Sequence, residues 1–282
     1  MLGAIMGDMI GSLYERRPAK TKEIRLFDIN NRMTDDSYLT IEVARVLLNH
    51  YPFDYKESNL DQIKADLMTR FRIAVQCHPY AGWGASFFGW ARVPDSLKKP
   101  YYSYGNGSAM RISPVGWMAK SIEEVKILSK TVSEITHNHP EGLKGGEAVA
   151  MCVYLALQGK SKEEIGEYIK ENYYPRIASL DYDTLLKTYE FDVTCQGSVP
   201  EAIYCFLISS SLEDAIRTAI SIGGDSDTIT AITGSIAEAY YQRNELSELE
   251  SEFMYRFVDP NVEEVIKRFH LTIGSLKFES KR

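Results

Sequence analysis

The stretch GAIMGDMIGSLYE, residues 3–15, carries a glycine at every fourth position. Residues four apart lie on one face of a helix, so Gly3, Gly7 and Gly11 would line up along one side. Each glycine within a helix costs about 1 kcal/mol relative to alanine. Three in register therefore predict that a neighbouring helix or loop packs very close to this face, and we favour that role over a direct one in chemistry.

The rest of the chain shows helical periodicity. Helix starts are indicated by capping-box spacing at 121–124 and 161–164 and by an Asp-Pro pair at 259–260. The sequence contains no long alternating run, tandem repeat or low-complexity linker, so it predicts an all-α protein. Apolar residues at helical spacing mark helices at 38–49, 145–158, 199–209 and 212–221, and a further stripe comprises Ile229, Ile232, Ile236 and Tyr240.

Composition excludes several classes of protein. The chain has 282 residues, of which 44% are hydrophobic and 25% charged, with a formal net charge of -7. The acidic balance argues against a general nucleic-acid binder. No apolar run approaches the roughly 20 residues that span a bilayer, and the N-terminal stretch lacks the basic region of a signal peptide. The four cysteines, which form no C-x-x-C pair, favour reduced thiols and a cytoplasmic location.

Two acidic clusters stand where helices are predicted to begin. Thr34, Asp35 and Asp36 form one, and Asp225, Asp227 and Thr228 form the other, directly after two glycines. Each cluster alone is equally well explained as a helix cap, because Thr and Asp are favoured caps and acids suit the positive end of the helix dipole.

The two clusters together indicate a metal site. Like charges 4 Å apart repel by about 1 kcal/mol in water and by about 4 kcal/mol at an effective dielectric of 20. Four carboxylates in one cleft would therefore protonate or separate unless a divalent cation held them. Carboxylate and hydroxyl oxygens suit Mg²⁺ or Mn²⁺ rather than zinc, and bridging carboxylates can hold two such ions.

The least regular stretch, residues 77–108, is rich in glycine, proline and aromatic residues. Long loops inside a compact domain are often functional. Its aromatic side chains could stack on a ligand ring or anchor the loop, and we favour anchoring for any single one of them.

Five ordered motifs resemble the ADP-ribosylglycohydrolase family. They are GAIMGDMIGSLYE (3–15), MTDDSYLT (33–40), YGNGSAMRISPVGW (104–117), THNHPEGLKGGEAVA (136–150) and GGDSDTITAITGSIAEAYY (223–241). The resemblance covers about residues 1–241. It implies a compact single-domain orthogonal helical bundle over residues 1–282, in which 242–282 is a closing helical segment. It also implies a binuclear Mg²⁺ or Mn²⁺ site at the bottom of a cleft.

The same resemblance implies roles for individual residues. Glu15 matches a glutamate on a mobile flap that is implicated in substrate positioning or catalysis, whereas His139 has no match and is expected to be structural. For Arg111, an internal salt bridge is at least as good an expectation as a phosphate contact. The implied metal ligands are Thr34, Asp35, Asp36, Asp225, Asp227 and Thr228. The implied contacts to the diphosphate and nearby ribose are Ser103, Tyr104, Gly105, Asn106, Gly107 and His137.

The implied activity is hydrolysis at C1″ of the distal ribose, which releases ADP-ribose from an acceptor. Asp36, Asp225 and Glu15 are the candidates to steer or deprotonate the attacking water. The alternatives are a metal-dependent phosphohydrolase or nucleotidase, a non-catalytic ADP-ribose-binding protein, and a structural protein with a vestigial site. The acceptor stays open among arginine, serine, a nucleic-acid base, a free O-acetyl group and a small molecule. The acidic charge disfavours nucleic acid, and a monomer is the family-based expectation.

Overall fold

The protein is helical throughout the part of the chain that its structure, a computed structural model, describes, namely residues 1–241 and 260–279. This part contains 14 α-helices, two short 3-10 segments and no strand, which confirms the all-α prediction. The helices are α1 (Leu2–Gly11), α2 (Asp35–His50), α3 (Glu57–Cys77), α4 (Ala85–Ala91), α5 (Gly107–Met110), α6 (Ser113–Met118), α7 (Ile122–Ser133), α8 (Pro140–Leu157), α9 (Lys162–Asn172), α10 (Tyr182–Thr188), α11 (Cys195–Ile208), α12 (Leu212–Ile222), α13 (Ser226–Tyr241) and α14 (Pro260–Glu279).

Helices α1 and α13 pack so closely that their backbones are in contact. A Cβ atom added at Gly3, Gly7 or Gly11 would lie within 3.0 Å of backbone atoms of α13, and at Gly7 the obstacle is the carbonyl group of Thr230. The close packing predicted from the glycine stripe is therefore confirmed. At Gly11 the added Cβ would clash with the backbone of Ser226, so the end of α1 lies against the start of α13.

Several helices begin earlier than their apolar stripes indicate. Helix α8 starts at Pro140 because His139 caps it, with Nδ1 accepting the backbone N–H of Glu141. Helix α11 starts at Cys195 because the hydroxyl of Thr194 accepts the N–H of Gly197. The first turns of α8 and α11 carry small residues rather than an apolar stripe. The apolar periodicity alone therefore does not reveal where these two helices begin. The structural role expected for His139 is confirmed.

The two predicted capping boxes differ in detail. The box at 161–164 is complete, with Ser161 and Glu164 each accepting the other's backbone N–H. At α7, Ser121 accepts the N–H of Glu124, but the Glu124 carboxylate accepts from the N–H of Lys120 instead of Ser121. Both helices nevertheless begin where the capping spacing predicts.

The buried hydrophobic side chains of the described helices form one continuous core. Cys152, Cys195 and Cys205 are buried as free thiols and Cys77 is exposed as one, which agrees with the expectation of reduced cysteines. None of the described helices is long and apolar enough to cross a membrane. Helix α14 begins at Pro260, whereas the predicted cap at position 259 and the rest of 242–259 lie outside the described residues.

Candidate functional site

The two acidic clusters converge beside the end of α1. Carboxylate oxygens of Asp8, Asp36 and Asp227 lie within 4.8 Å of one another, and those of Glu15, Asp225 and Asp227 do the same. Asp227 belongs to both groups. Acids from three separate stretches of the chain therefore meet in one place, arranged as two neighbouring groups that share a carboxylate.

Asp8, which the sequence motifs do not single out, caps helix α2 from another helix. It is fully buried. Its carboxylate accepts the N–H of Thr34 at 2.9 Å and the N–H of Ser37 at 3.1 Å, together with both hydroxyls. Thr34, the N-cap residue, makes no side-chain capping bond of its own. Asp8 therefore provides the cap, and the acids of the first cluster are not needed for it. The signal that could reveal Asp8 is an acid in the middle of an apolar, glycine-lined helix.

The second cluster is positioned by a sharp turn before α13. Gly223 and Gly224 have positive φ angles of 75° and 81°, a conformation that glycine adopts without strain. The ring of Tyr189 lies so close to Gly224 that a Cβ there would clash with it. After this turn, Asp225 accepts a hydrogen bond from the side-chain amide of Asn106 at 2.7 Å. The amide of Asn106, expected on the diphosphate loop, is thus bound to the acid cluster.

Burial and mutual repulsion raise the pKa values of the clustered acids. For Asp36 and Asp225, burial and then the charge of Asp227 hold the pKa well above its ordinary value. The same two causes raise the pKa of Asp35 to about 8 and that of Asp8 to about 7. Asp36 Oδ1 is also buried without a hydrogen-bond partner in the described part of the protein. A carboxylate oxygen in this state calls for a proton or a cation, so the donor set fits a divalent metal.

Without metal, the buried acids should make the protein less stable as pH rises. Asp8 and Asp35 hold their protons in the folded state up to about pH 7 and 8, whereas the unfolded chain releases them near its ordinary pKa of 3.8. The resulting stabilisation is full below that ordinary pKa and is lost as pH rises through the folded pKa values. In EDTA we expect the Tm to fall by roughly 5 °C between about pH 5 and pH 8. Saturating Mg²⁺ should abolish most of the fall, and a Tm in EDTA that rises over this range would contradict the expectation.

A cleft of about 360 Å³ opens above the acids. Of the residues expected in the site, Thr34 and Tyr104 lie outside its wall, Thr34 because it is buried against Asp8 and Tyr104 because its exposed ring packs edge-on against His139. The others line the cleft, namely Glu15, Asp35, Asp36, Ser103, Gly105, Asn106, Gly107, His137, Asp225, Asp227 and Thr228. Gly82, Gly84, Phe87 and Tyr101, which the sequence indicated only as part of the stretch 77–108, also line the cleft. Met110, Phe191 and Val193 line it without having been indicated as site residues.

The glycine loop on one side of the cleft is held by a distant segment. The N–H of Asn106 donates to Val193 O at 2.8 Å, and the N–H of Cys195 donates to Tyr104 O at 2.9 Å. This pairing brings the exposed side chains of Phe191 and Val193 to the rim. The loop is therefore fixed in place by a segment almost 90 residues further along the chain.

Three aromatic side chains of 77–108 anchor that stretch, whereas Tyr80, Tyr102 and Tyr104 of the same stretch are exposed. Phe87 is buried in α4, with its ring centroid 5.6 Å from that of Trp83 and 5.5 Å from that of Trp90. The anchoring interpretation is thus confirmed for these side chains. Phe87 also lines the cleft, so the anchor shapes its wall.

Arg111 is fully buried and forms no ion pair within the described residues. Its guanidinium lies 4.8 Å from the ring centroid of Phe71, and Nη2 donates to the hydroxyl of Thr136 at 2.8 Å. Of the two alternatives for Arg111, the internal salt bridge is therefore wrong. A cation–π contact with Phe71 and a hydrogen bond to the neutral hydroxyl of Thr136 stabilise the guanidinium charge, and no carboxylate of the described residues pairs with it. The phosphate contact stays a prediction, and Arg111 lines the cleft.

The segment that carries Glu15 is tied to the second acidic cluster. Glu15 is half-buried and lines the cleft, and burial followed by the charge of Asp227 raises its pKa. Five residues on, Lys20 Nζ donates to Ile222 O at 2.6 Å and to Tyr189 O at 2.9 Å. Ile222 directly precedes the glycine turn before α13. Lys20 therefore links the position of Glu15 to that of the turn.

Replacing Lys20 with methionine should lower kcat by roughly 10-fold, because a small misplacement of reacting groups is costly. The aliphatic stem is kept, so the Tm should change little. Steady-state kinetics together with hydrogen exchange of residues 12–25 would measure the effect, and we expect faster exchange in the variant. Arg17→Met is the matched control, since Arg17 is an exposed cation on the same segment. Equal kcat values for the two variants would contradict the proposed link.

Comparisons with other proteins agree on one family. A family model described as ADP-ribosylglycohydrolase matches residues 1–269. The chain is 26% identical to ADP-ribosylhydrolase ARH3 of Homo sapiens, over 88% of this chain and 86% of that protein. It is 24% identical to ADP-ribosylarginine hydrolase Tri1 of Pseudomonas putida (strain GB-1), over 86% of this chain and 69% of that protein. A solved structure titled "ADP-ribosylglycohydrolase-related protein complex" shares the fold, with a TM-score of 0.71, 22% identity, and coverage of 95% of this chain and 93% of that one.

Proposed function

The chain belongs to the ADP-ribosylglycohydrolase family, and from that premise we propose that it releases ADP-ribose from an ADP-ribosylated acceptor by hydrolysis at C1″ of the distal ribose. The observation that carries the proposal is the pair of acid groups sharing Asp227 at the bottom of the cleft. Enzymes that cleave glycosidic bonds use carboxylates on either side of the reacting carbon, where positive charge develops. The proposed catalytic unit is a monomer of residues 1–282.

We propose that the acid groups hold two Mg²⁺ or Mn²⁺ ions. The proposed ligands are Thr34, Asp35, Asp36, Asp225, Asp227 and Thr228. The place of Asp227 in both acid groups and the unpartnered oxygen of Asp36 support two neighbouring cations. Of the other members of these groups, Asp8 caps α2 and Glu15 is proposed to act on the attacking water. When bound, the ions would supply Lewis acidity and lower the pKa of a water molecule. Their charge would also keep the surrounding acids ionised, against the effect of burial.

Three acids are candidates to guide the attacking water. Glu15, Asp36 and Asp225 all line the cleft, and burial raises the pKa of each. Ionised beside bound metal, a carboxylate at one of these positions could orient the water or accept its proton, as a general base must. The remaining carboxylates would stabilise the positive charge at C1″ electrostatically.

The opposite side of the cleft suits the diphosphate. Ser103, Gly105 and Gly107 line the cleft there, and His137 lies against Gly107. The N–H groups of Gly105 and Asn106 donate to Ser103 Oγ and Val193 O, so among the described residues 105–107 the N–H of Gly107 is the backbone donor left for an anion. Glycine loops of this kind bind anionic oxygens through backbone N–H groups. This placement would leave the distal ribose over the acids and the acceptor towards Glu15 and Gly82.

A panel of defined ADP-ribosylated acceptors, assayed in Mg²⁺, Mn²⁺ and EDTA, would test the proposal. A peptide modified on arginine is the first choice, because one relative is named an ADP-ribosylarginine hydrolase. A peptide modified on serine is the second, since the sequence leaves serine open as an acceptor. Chromatography should show intact ADP-ribose and free acceptor, formed only with metal. Release of inorganic phosphate or a nucleoside monophosphate would indicate a phosphohydrolase instead. Calorimetric binding of ADP-ribose without turnover of any acceptor would indicate a binding protein.

A further inference from the structure

Behind the glycine loop, one hydroxyl joins a buried arginine to a histidine of the cleft. Thr136 Oγ1 accepts a hydrogen bond from Arg111 Nη2 at 2.8 Å and lies 2.8 Å from His137 Nδ1. All three side chains are at least 95% buried. A guanidinium can only donate, so the oxygen of Thr136 must act as the acceptor in the first contact. The single proton of the hydroxyl is then available for one other partner.

That proton has one good acceptor. The alternative is Ser133 O, at 3.5 Å, which already accepts the backbone N–H groups of Thr136 at 3.2 Å and His137 at 2.8 Å. A carbonyl oxygen has two lone pairs, and both are in use. His137 Nδ1 is nearer by 0.7 Å, the difference between the 3.5 Å and 2.8 Å contacts. The hydroxyl therefore donates to Nδ1, which must be the unprotonated nitrogen of the ring.

The charge of the surroundings keeps the imidazole neutral. Burial and the positive charge of Arg111 hold the pKa of His137 well below its ordinary value. Burial lowers the pKa of Arg111 only to about 10, so Arg111 remains a cation at neutral pH. A neutral imidazole without a proton on Nδ1 carries it on Nε2.

The Nε2 atom faces the cleft at the glycine loop. A Cβ added at Gly107 would lie 3.2 Å from Nε2, and one added at Gly105 would lie 3.7 Å from it. His137 lines the cleft, and Nε2 has no hydrogen-bond partner in the described part of the protein. The absence of a side chain at Gly107 is what leaves this N–H open to a ligand.

We propose that Arg111 and Thr136 are positioning residues that fix His137 as its Nε2–H tautomer, so that it donates a hydrogen bond to a ligand oxygen in the cleft. The identity of that ligand as ADP-ribose rests on the function proposed above, whereas the tautomer does not. In this arrangement His137 cannot act as a general base, because its only free nitrogen already carries a proton.

Nuclear magnetic resonance of ¹⁵N-histidine-labelled protein at neutral pH would test the tautomer, with the His137 signals assigned from a His137→Gln sample. The parent should show a protonated Nε2 and an unprotonated Nδ1. Thr136→Val keeps the side-chain shape but loses the hydroxyl, and should give a mixture of tautomers. Thr136→Ser should restore the parent spectrum. Thr131→Val is the matched control, since its buried hydroxyl bonds only to the backbone of its own helix.

Affinity for ADP-ribose, measured by calorimetry, supplies the second readout. Because only the fraction of Thr136→Val molecules that carry a proton on Nε2 can donate, binding should weaken about two- to three-fold, with Thr136→Ser and Thr131→Val close to the parent. A parent His137 protonated on Nδ1, or unchanged tautomer and affinity in Thr136→Val, would overturn the inference. If the parent shows the expected tautomer but does not bind ADP-ribose, the inference stands and the proposed function fails.

Discussion

Asp227→Asn is expected to lower the rate of ADP-ribose release at least about 1,000-fold, because the loss of several kcal/mol of metal-derived stabilisation corresponds to such a factor. Asp227 is the one residue common to both acid groups. Its loss should therefore weaken the binding of both cations. Initial rates at saturating Mn²⁺, with Tm measured in EDTA, separate this effect from unfolding. The variant should fold, since the substitution removes one charge from a mutually repelling cluster.

Two further variants test whether the loss of hydrolysis comes from the acid groups. Asp36→Ala should likewise lose metal and hydrolysis while it remains folded. Asp66→Asn is the control, since Asp66 is a half-exposed acid on α3 that bonds to His50 far from the cluster. It should retain the parent rate. An Asp227→Asn protein that keeps more than about a tenth of the parent rate would be incompatible with a shared ligand.

Gly7→Ala is expected to reduce the free energy of unfolding by at least about 2 kcal/mol, as overpacking of a tight interface does. The added Cβ would lie 2.6 Å from the carbonyl carbon of Thr230. The obstacle is backbone, which cannot rotate away as a flexible side chain can. Urea denaturation in EDTA would measure the change without a contribution from bound metal.

Gly89→Ala is the matched control for this prediction. Gly89 lies within helix α4, and a Cβ added there meets nothing within 4 Å. Alanine should therefore stabilise the protein by up to about 1 kcal/mol through its helix propensity. Equal effects of the two substitutions would show that the glycine stripe does not set the packing of α1 on α13.

The fold could be predicted only in part from local patterns. The glycine stripe predicted a very close neighbour, but α13 was not identified as that neighbour. The partner positions Ser226, Thr230 and Gly234 are also small residues four apart, a matching signal that was missed because only the apolar stripe of the same helix was considered. Helices α8 and α11 were predicted late at their N-termini, because capping by His139 and Thr194 depends on side-chain geometry and not on period. Apolar spacing predicted helices where it was regular, but it did not reveal α3 (Glu57–Cys77) or the contacts between distant elements.

The acids of the candidate site could be predicted from the sequence for two reasons. Neighbouring carboxylates repel each other, and both clusters combine Asp and Thr at the predicted start of a helix. Asp8 was missed because it lies in the middle of an apolar helix, and its role as cap for α2 arises only when the two helices meet. Val193 was missed for a similar reason, since it reaches the cleft through backbone pairing with the glycine loop. The expectation of a salt bridge at Arg111 was wrong because its guanidinium is contacted by the rings of Phe71 and Phe87 and by the hydroxyl of Thr136.

The number of Mn²⁺ ions bound per chain at saturation tests whether the two distant acidic stretches form one binuclear site. Equilibrium dialysis followed by elemental analysis gives this number for the parent and for Asp227→Asn. We expect two ions per chain in the parent and a strong loss of both in the variant, because one carboxylate serves both acid groups. A parent chain that binds one ion or none, at Mn²⁺ concentrations that saturate hydrolysis, would contradict the proposed site.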